Sequence, residues 1–446
     1  MAEKWNNRSL FRLLWPLIVE QFLAVSMGAA DTLMVSPVGE FAVSGVNIVD
    51  NINNLLIIAF MALSTGGVVV CSQYIGRQDY DNSRLGAKQL VYIVTLVSLL
   101  LTAITLVFRR PLLSIIYGQV PIDVMDAAIT YLLFSASSYP LLAVSNSCSA
   151  LLRASGNSKI PMKVALVVNI LHIPKNALFI YVFNMGVAGV GLSILISRFL
   201  SAAVLMTILV KNKNSPVTLS SILKIEFYPS MIKRILRIGI PSGLEQSMFQ
   251  FGRLLTQRIF PVFGTSIIAA NAVATTINSF GFMTGQAFSI GLLTVVGQCI
   301  GAGDYDAAKH YTKKILRMSW LFMFTVGVMI IIFRANLVLL FNLTPEARDA
   351  AKLFLNVHGV SMALFWTFSF GLPAALRASG DAKFIMFIGA SSMWIVRVLA
   401  AYFLTFTLGF GPVGVWLAMG GDFITRSICF SLRWRSGRWQ KIRLLD

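Results

Sequence analysis

Several acidic side chains stand inside apolar stretches of this sequence, where a charge is costly to bury. Glu20 and Asp31 lie in the first such stretch, and Glu245 and Asp422 lie in later ones. An ionisable residue inside a membrane is expensive, so each acid is a candidate for proton transfer, ion binding or substrate binding. Eleven positions are close to three helical turns, so Glu20 and Asp31 are predicted to share one helix face about 16 Å apart. At that separation the two acids cannot share a proton.

Basic groups also fall inside apolar stretches, notably Lys175 and Arg397. If they line a substrate path, that path favours anionic or zwitterionic substrates over cations. Their alternative role is structural. Asp422 is interpreted as the ion-pair partner of Arg426, because the two residues are one helical turn apart.

The elements that position these groups are membrane-spanning helices. The chain has 446 residues, of which 57% are hydrophobic and 12% charged, with a mean hydropathy of +0.76. About 20 apolar residues span a bilayer as a helix. Hydrophobic runs between charged or Gly/Pro breaks predict an all-α polytopic membrane protein with twelve spans, at 13–35, 52–75, 89–108, 128–151, 162–183, 187–210, 238–260, 274–298, 315–334, 352–376, 384–407 and 411–432.

The distribution of Lys and Arg predicts the orientation of these spans. Most of the 37 basic residues lie at the N-terminus, at the C-terminal tail and in every second connection. Positively charged short loops stay in the cytoplasm, so both termini are predicted to be cytoplasmic, in a protein of the cell membrane without a cleaved signal peptide. The net charge of +19 is then mainly an orientation signal and a contact with anionic membrane lipids, rather than a nucleic-acid-binding surface.

The two halves of the chain repeat each other. The stretch "SQYIGRQDYD" recurs 225 residues later as "GQCIGAGDYD", and "WPLIVEQ" recurs as "IPSGLEQ". His172 and Arg397 fall at near-equivalent positions of the two halves. In the glycine loops of these repeated stretches, the aspartates are predicted to cap the next helix. The alternative is that the loops act as a gate or a hinge.

The repeat divides the chain into two six-helix bundles. The predicted segments are an N-terminal bundle at 1–210, a cytoplasmic linker at 211–236, a C-terminal bundle at 237–432 and a basic tail at 433–446. Six spans are an even number, so the repeats are parallel, an arrangement found in secondary transporters. Channels are also built by repetition, so the duplication alone leaves both classes open.

The segments "AANAVATTINSFGFMTGQAFSIGLLTVVGQCIGAGDYDAAK", "ALRASGD" and "MGVAGVGLS", with Pro16 and Asp31, resemble the multidrug and toxic compound extrusion (MATE) family. The resemblance implies two bundles in a V around a central cleft, and efflux of organic ions by alternating access. Coupling to inward H⁺ or Na⁺ is implied with it. The predicted substrate-cleft residues are Glu20, Gln21, Asn53, Lys175, Glu245, Gln246, Asn278, Gln286 and Arg397.

The resemblance also implies a coupling site in the first bundle. Asp31 matches the family's first-helix carboxylate, whereas His172 stands at the family's Asn position and Asn176 at its Asp position. Ile194 replaces a Thr, although a shift of the alignment lets Asn169 supply an oxygen. Hard cations need several oxygen ligands, so protons rather than Na⁺ are predicted to drive transport through Asp31.

Other function classes remain as alternatives. A lipid-linked oligosaccharide flippase shares the two-bundle plan, and Lys175 and Arg397 keep that alternative open. A membrane-embedded lipid-modifying enzyme is disfavoured, because connections are mostly short and no outer loop carries a His/Asp or paired-carboxylate set. We predict a monomer that transports a small organic substrate without a cofactor. No metal site is predicted, because the four cysteines do not have the spacing of metal ligands.

Overall fold

The computed structural model of the chain describes residues 5–118 and 121–445. These residues are mostly helical, and none of them lies in a β-strand. The protein is a multi-pass α-helical membrane protein, as its composition predicts. The chain divides into two compact units, an N-terminal unit of Asn7–Gly239 and a C-terminal unit that starts at Ile240.

The described part of the N-terminal unit holds eight complete α-helices, and a short π-helical segment, Leu178–Val182, follows the seventh. The helices are α1 (Asn7–Val35), α2 (Glu40–Gly76), α3 (Tyr80–Val107), α4 (Arg109–Tyr117), α5 (Ile122–Ser137), α6 (Tyr139–Ala154), α7 (Lys159–Ala177) and α8 (Gly186–Lys211).

The next helix, α9 (Pro229–Gln257), crosses the unit boundary at Gly239, two residues before Pro241. The C-terminal unit then contains seven further helices, with π-helical segments at Thr367–Gly371, Ser392–Leu399 and Phe403–Thr407. They are α10 (Thr265–Gly301), α11 (Tyr305–Leu339), α12 (Pro345–Trp366), α13 (Leu372–Ala378), α14 (Ala382–Ser391), α15 (Ala400–Tyr402) and α16 (Val413–Arg435).

Nine helical segments of the described residues are long and apolar enough to cross a membrane, and a bent pair of helices brings the number to ten. The remaining two predicted spans coincide with α9 and α16, which are more polar. Every predicted span therefore falls on a helical segment. Several helices begin well before the apolar run, as α2 does at Glu40 rather than at residue 52.

The internal repeat is visible in the helix bounds. Helices α2 and α10 both have 37 residues and lie 225 positions apart. Each ends in the glycine loop, and the following helix is capped by an aspartate. Asp79 Oδ1 accepts a hydrogen bond from the backbone N–H of Asn82 at 3.1 Å, and Asp304 Oδ1 accepts one from Ala307 at 2.9 Å. The capping role predicted for these aspartates is confirmed.

The predicted fourth span, 128–151, is not one straight helix. It consists of α5 and α6, which meet at a bend of 45° around Ser138. Pro140 lies at the start of α6, where it has no backbone N–H to donate and disfavours helical geometry in the residue before it. The continuous apolar run conceals this break, so the prediction of a single helix is wrong here.

The segment predicted as a linker packs along α3 in the N-terminal unit. Tyr92 donates its hydroxyl to the carbonyl of Ile222 at 2.6 Å. Gln89 Nε2 donates to the carbonyl of Glu226 at 2.6 Å, and its Oε1 accepts from the N–H of Tyr228. Leu219 is fully buried. These contacts hold the connection against its own bundle.

Aromatic side chains form much of the core of the C-terminal unit. Trp366 is fully buried and stands edge-on to Phe282, with ring centroids 5.5 Å apart. Gly285 lies directly against the same indole, because a Cβ at that position would meet the ring at 2.0 Å. The aromatics of this region therefore pack against one another in the core.

Candidate functional site

Asp31 is the centre of a buried polar cluster between α1 and α7. Its side chain is only 8% exposed. His172 donates from Nε2 to Asp31 Oδ1 at 2.6 Å, and Asn176 donates from Nδ2 to the same oxygen at 2.5 Å. His172 and Asn176 lie four residues apart, one helical turn, so both side chains leave the same face of α7. The structure therefore brings together three of the four residues predicted for the coupling site.

The second ring nitrogen of His172 faces α8. Its Nδ1 lies 2.9 Å from the hydroxyl of Ser197, and Lys175 Nζ donates to that same hydroxyl at 2.7 Å. Because the hydroxyl accepts from Lys175, its own proton is free to be donated to His172 Nδ1. That assignment leaves the imidazole proton on Nε2, where it faces the Asp31 carboxylate. The result is a hydrogen-bonded chain from Lys175 through Ser197 and His172 to Asp31.

Asn169, the fourth predicted coupling residue, makes its hydrogen bond elsewhere. Its Nδ2 donates to the carbonyl of Ala165 within α7 at 2.9 Å. Ile194, at the position where the resembling family has a Thr, is buried and apolar. The Asp31 carboxylate is thus met by N–H donors. Ile194 supplies no oxygen ligand to this site.

Sequence reasoning missed Asp50, which belongs to a second polar network of the N-terminal unit. Its Oδ1 accepts from Asn53 Nδ2 and from the hydroxyl of Tyr131, both at 3.2 Å. Asn53 Oδ1 in turn accepts from Ser135 at 2.7 Å and from Tyr139 at 2.8 Å. Asn53, predicted as a cleft residue, is therefore fully engaged between α2, α5 and α6.

Glu20 and Glu245 form equivalent ion pairs in the two units. Arg153 Nη1 donates to Glu20 Oε1 at 2.7 Å, and Arg377 Nη2 donates to Glu245 Oε2 at 2.6 Å. Both arginines come from the repeated "LRASG" motif. Each pair is largely buried, with side chains no more than 15% exposed. The acids that follow the prolines therefore tie the first helix of each repeat to the "LRASG" helix of the same repeat.

The remaining predicted cleft residues are amides. Gln21 and Gln286 are half-buried and Gln246 is exposed. Asn278, the repeat counterpart of Asn53, is buried, and neither its Oδ1 nor its Nδ2 has a hydrogen-bond partner among the described residues. The two repeat-related asparagines thus differ in how their polar atoms are satisfied.

Arg397 belongs to a charged cluster inside the C-terminal unit. Asp422 accepts from Arg426 Nε at 2.8 Å and from Ser392 Oγ at 2.5 Å, which confirms the predicted pairing one turn apart. Arg397 Nη1 lies 3.7 Å from the other carboxylate oxygen of Asp422. Its guanidinium also stands over the ring of Phe249, 5.3 Å from the centroid. Two guanidinium groups share a single carboxylate.

The repeat relates this cluster to the one around Asp31. At an offset of 225, His172 falls on Arg397 and Ser197 falls on Asp422. The same two helix positions therefore make a contact in both units, a hydroxyl with an imidazole in one and a carboxylate with a guanidinium in the other. The duplicated architecture is kept while the charge of the contact changes.

The MatE family model matches residues 16–178 and 241–403, two segments that repeat each other's bounds at the 225-residue offset. An uncharacterized transporter of Bacillus subtilis, YisQ, is 29% identical over 437 residues, covering 97% of this chain and 94% of that protein. A probable multidrug resistance protein of Thermotoga maritima, NorM, is 27% identical over 456 residues, covering 98% and 94%.

The solved structures show the same fold. A crystal structure of MATE in the bent conformation superposes with a TM-score of 0.90 at 18% identity, covering 97% of this chain and 96% of that one. An outward-facing multidrug resistance MATE transporter gives a TM-score of 0.90, the same identity and the same coverage. The fold is therefore shared over nearly the whole chain.

Proposed function

The chain belongs to the MatE family, and on that premise we propose that it is a secondary antiporter that exports small organic molecules across the cell membrane. In this proposal, inward movement of protons drives export by alternating access. Asp31 carries the proton, and His172 and Asn176 hold its carboxylate.

The observation that carries the proposal is the pair of N–H donors on Asp31 Oδ1. Hydrogen bonds to an ionised acceptor contribute about 1.5–3 kcal/mol each, so the charged carboxylate fastens α1 to α7. A proton on Asp31 removes the charge and weakens both bonds. Loading and release of one proton therefore change how strongly the first helix is held, which supports a coupling role for this carboxylate.

The same geometry argues against Na⁺ as the coupling ion. Na⁺, like other hard cations, needs several oxygen ligands. His172 offers a nitrogen, and Ile194 offers no ligand. The groups around Asp31 therefore supply too few oxygen ligands for Na⁺.

The test uses purified protein in proteoliposomes, with substrates first found in a binding screen of organic cations and organic anions. We expect an imposed pH gradient to drive export at zero Na⁺. Asp31→Asn is expected to abolish that export while the protein stays folded, and Asp306→Asn, at an exposed carboxylate, is the matched control. Export driven by a Na⁺ gradient at fixed pH, and not by a pH gradient alone, would refute the proposal.

A lipid-linked oligosaccharide flippase is the second candidate. Its support in the sequence is the pair Lys175 and Arg397, and Lys175 donates its hydrogen bond to Ser197 of its own unit. That arrangement favours the exporter. The same vesicles test the alternative, because a flippase moves a labelled lipid-linked sugar between leaflets, whereas the exporter does not. A monomer with both termini in the cytoplasm completes the proposal.

A further inference from the structure

The C-terminal unit carries more buried positive than negative charge at the Asp422 cluster. Asp422 is fully buried, and its Oδ1 is already taken by Arg426 and Ser392. Arg426 is also satisfied on its far side, where Nη2 donates to the carbonyl of Gly389 at 2.8 Å. The single carboxylate of the cluster is thus mainly committed to one of its two arginines.

Arg397 is the group that this arrangement leaves incompletely satisfied. Its side chain is 9% exposed, its nearest carboxylate oxygen is 3.7 Å away, and its Nε has no hydrogen-bond partner among the described residues. Arg253 also interacts electrostatically with it. Arg253 follows Phe249 by one helical turn of α9, so it adds positive charge on the face that carries the aromatic ring.

We propose that Arg397, with Phe249 as an apolar wall, binds the carboxylate of a small aromatic organic anion inside the C-terminal unit. A buried ionisable group in a membrane protein requires a counter-charge, and Asp422 supplies it only in part. A guanidinium presents a planar fork of N–H donors that matches a carboxylate, and the ring of Phe249 beside it supplies apolar contact for an aromatic ligand. The inference rests on the proposed export function, whose substrate class it names.

Asp422 acts as the internal competitor in this site. Its Oδ2 is the oxygen that faces Arg397 at 3.7 Å, and this oxygen has no hydrogen-bond partner among the described residues. A ligand carboxylate takes over the interaction with Arg397 while Asp422 keeps Arg426. Removing the Asp422 charge is therefore expected to strengthen anion binding, whereas a purely structural cluster gives no such gain.

The experiment measures equilibrium binding of naphthoate to the purified full-length protein in detergent, at fixed pH and without a gradient. Naphthylmethylammonium, a cation of the same shape, is the comparison ligand. Arg397→Gln is expected to weaken naphthoate binding about tenfold or more, because a charge-assisted bond is lost. Asp422→Asn is expected to tighten it severalfold. Arg258→Gln, at an exposed arginine of the same unit, is the matched control and leaves binding unchanged.

Folding is checked by thermal denaturation of each variant. Arg397→Gln leaves the Asp422–Arg426 contact in place and is expected to unfold at or near the wild-type temperature, so it carries the test if Asp422→Asn is unstable. Equal naphthoate binding by wild type and Arg397→Gln overturns the proposal. Preference for the cation, or binding of short-chain phosphatidylglycerol but not of naphthoate, overturns it as well. Since no gradient is used, this result is separate from the proton-coupling test at Asp31.

Discussion

The hydroxyl of Ser197 connects Lys175 to the imidazole of His172, and its removal is the sharpest perturbation of the coupling site. Its Oγ lies 2.9 Å from His172 Nδ1 and accepts from Lys175 at 2.7 Å. We predict that Ser197→Ala slows proton-driven export about tenfold. Ser193→Ala, one turn earlier on the same helix, is expected to have a much smaller effect.

The magnitude follows from the groups that the substitution leaves without a partner. Stranding a buried polar atom costs about 1–3 kcal/mol, and 1.4 kcal/mol corresponds to a factor of ten. In Ser197→Ala, both His172 Nδ1 and the ammonium of Lys175 lose their bond to this hydroxyl. Ser193 Oγ is 3.5 Å from His172 Nδ1, at the limit of a hydrogen bond, so its loss is expected to cost well under 1 kcal/mol.

The assay is the initial rate of substrate movement in proteoliposomes under an imposed pH gradient. Ser197→Thr keeps a hydroxyl at the same position and is expected to recover most of the rate, which separates the hydrogen bond from simple packing. Thermal denaturation of each variant in detergent checks folding. Wild-type rates for Ser197→Ala, or equal losses for the two alanine variants, would refute the proposed chain of hydrogen bonds.

Three further predictions concern stability and topology. Glu20→Gln and Arg153→Gln are each expected to lower the free energy of unfolding by about 1–3 kcal/mol. In a double-mutant cycle, the two substitutions are expected to show a coupling energy of about 1–2 kcal/mol. Additive effects would contradict the ion pair. Gly285→Ala is expected to destabilise the protein by about 1–3 kcal/mol through overpacking against a buried indole. Gly28→Ala is the control, because a Cβ added at that position would extend into open space. Thermal denaturation measures the stability of the ion-pair variants and of the glycine variants. Equal stability of the two glycine variants would contradict the close packing of Gly285 against the indole. Reporter fusions after Lys213 and at the C-terminus are both expected to read cytoplasmic, and opposite compartments would refute the twelve-span topology.

The missed acid, Asp50, shows a limit of hydropathy reading. The apolar run of the second span begins near residue 52, so Asp50 is counted outside the membrane by composition. The helix, however, begins at Glu40, directly after Gly39 at a φ of 139°. The helix thus extends beyond the apolar segment, and in that extension Asp50 accepts a hydrogen bond from Tyr131. Those partners are distant in sequence and leave no local signal.

The sequence by itself determined the membrane class, the duplication and the helical segments. Hydrophobic runs and basic loops act locally on insertion into the bilayer, so they can be read along the chain. The duplication is visible when the two halves of the sequence are compared. Asp31 was also identifiable, since an acid in an apolar run is costly wherever it lies. Only the tertiary structure decided which groups meet: His172 comes 141 residues after Asp31, and Arg153 comes 133 residues after Glu20. The rotation of each helix about its axis decides which side chains face each other, and packing of the whole bundle fixes that rotation. Hydrophobic periodicity here is weak because lipid and protein interior are both apolar.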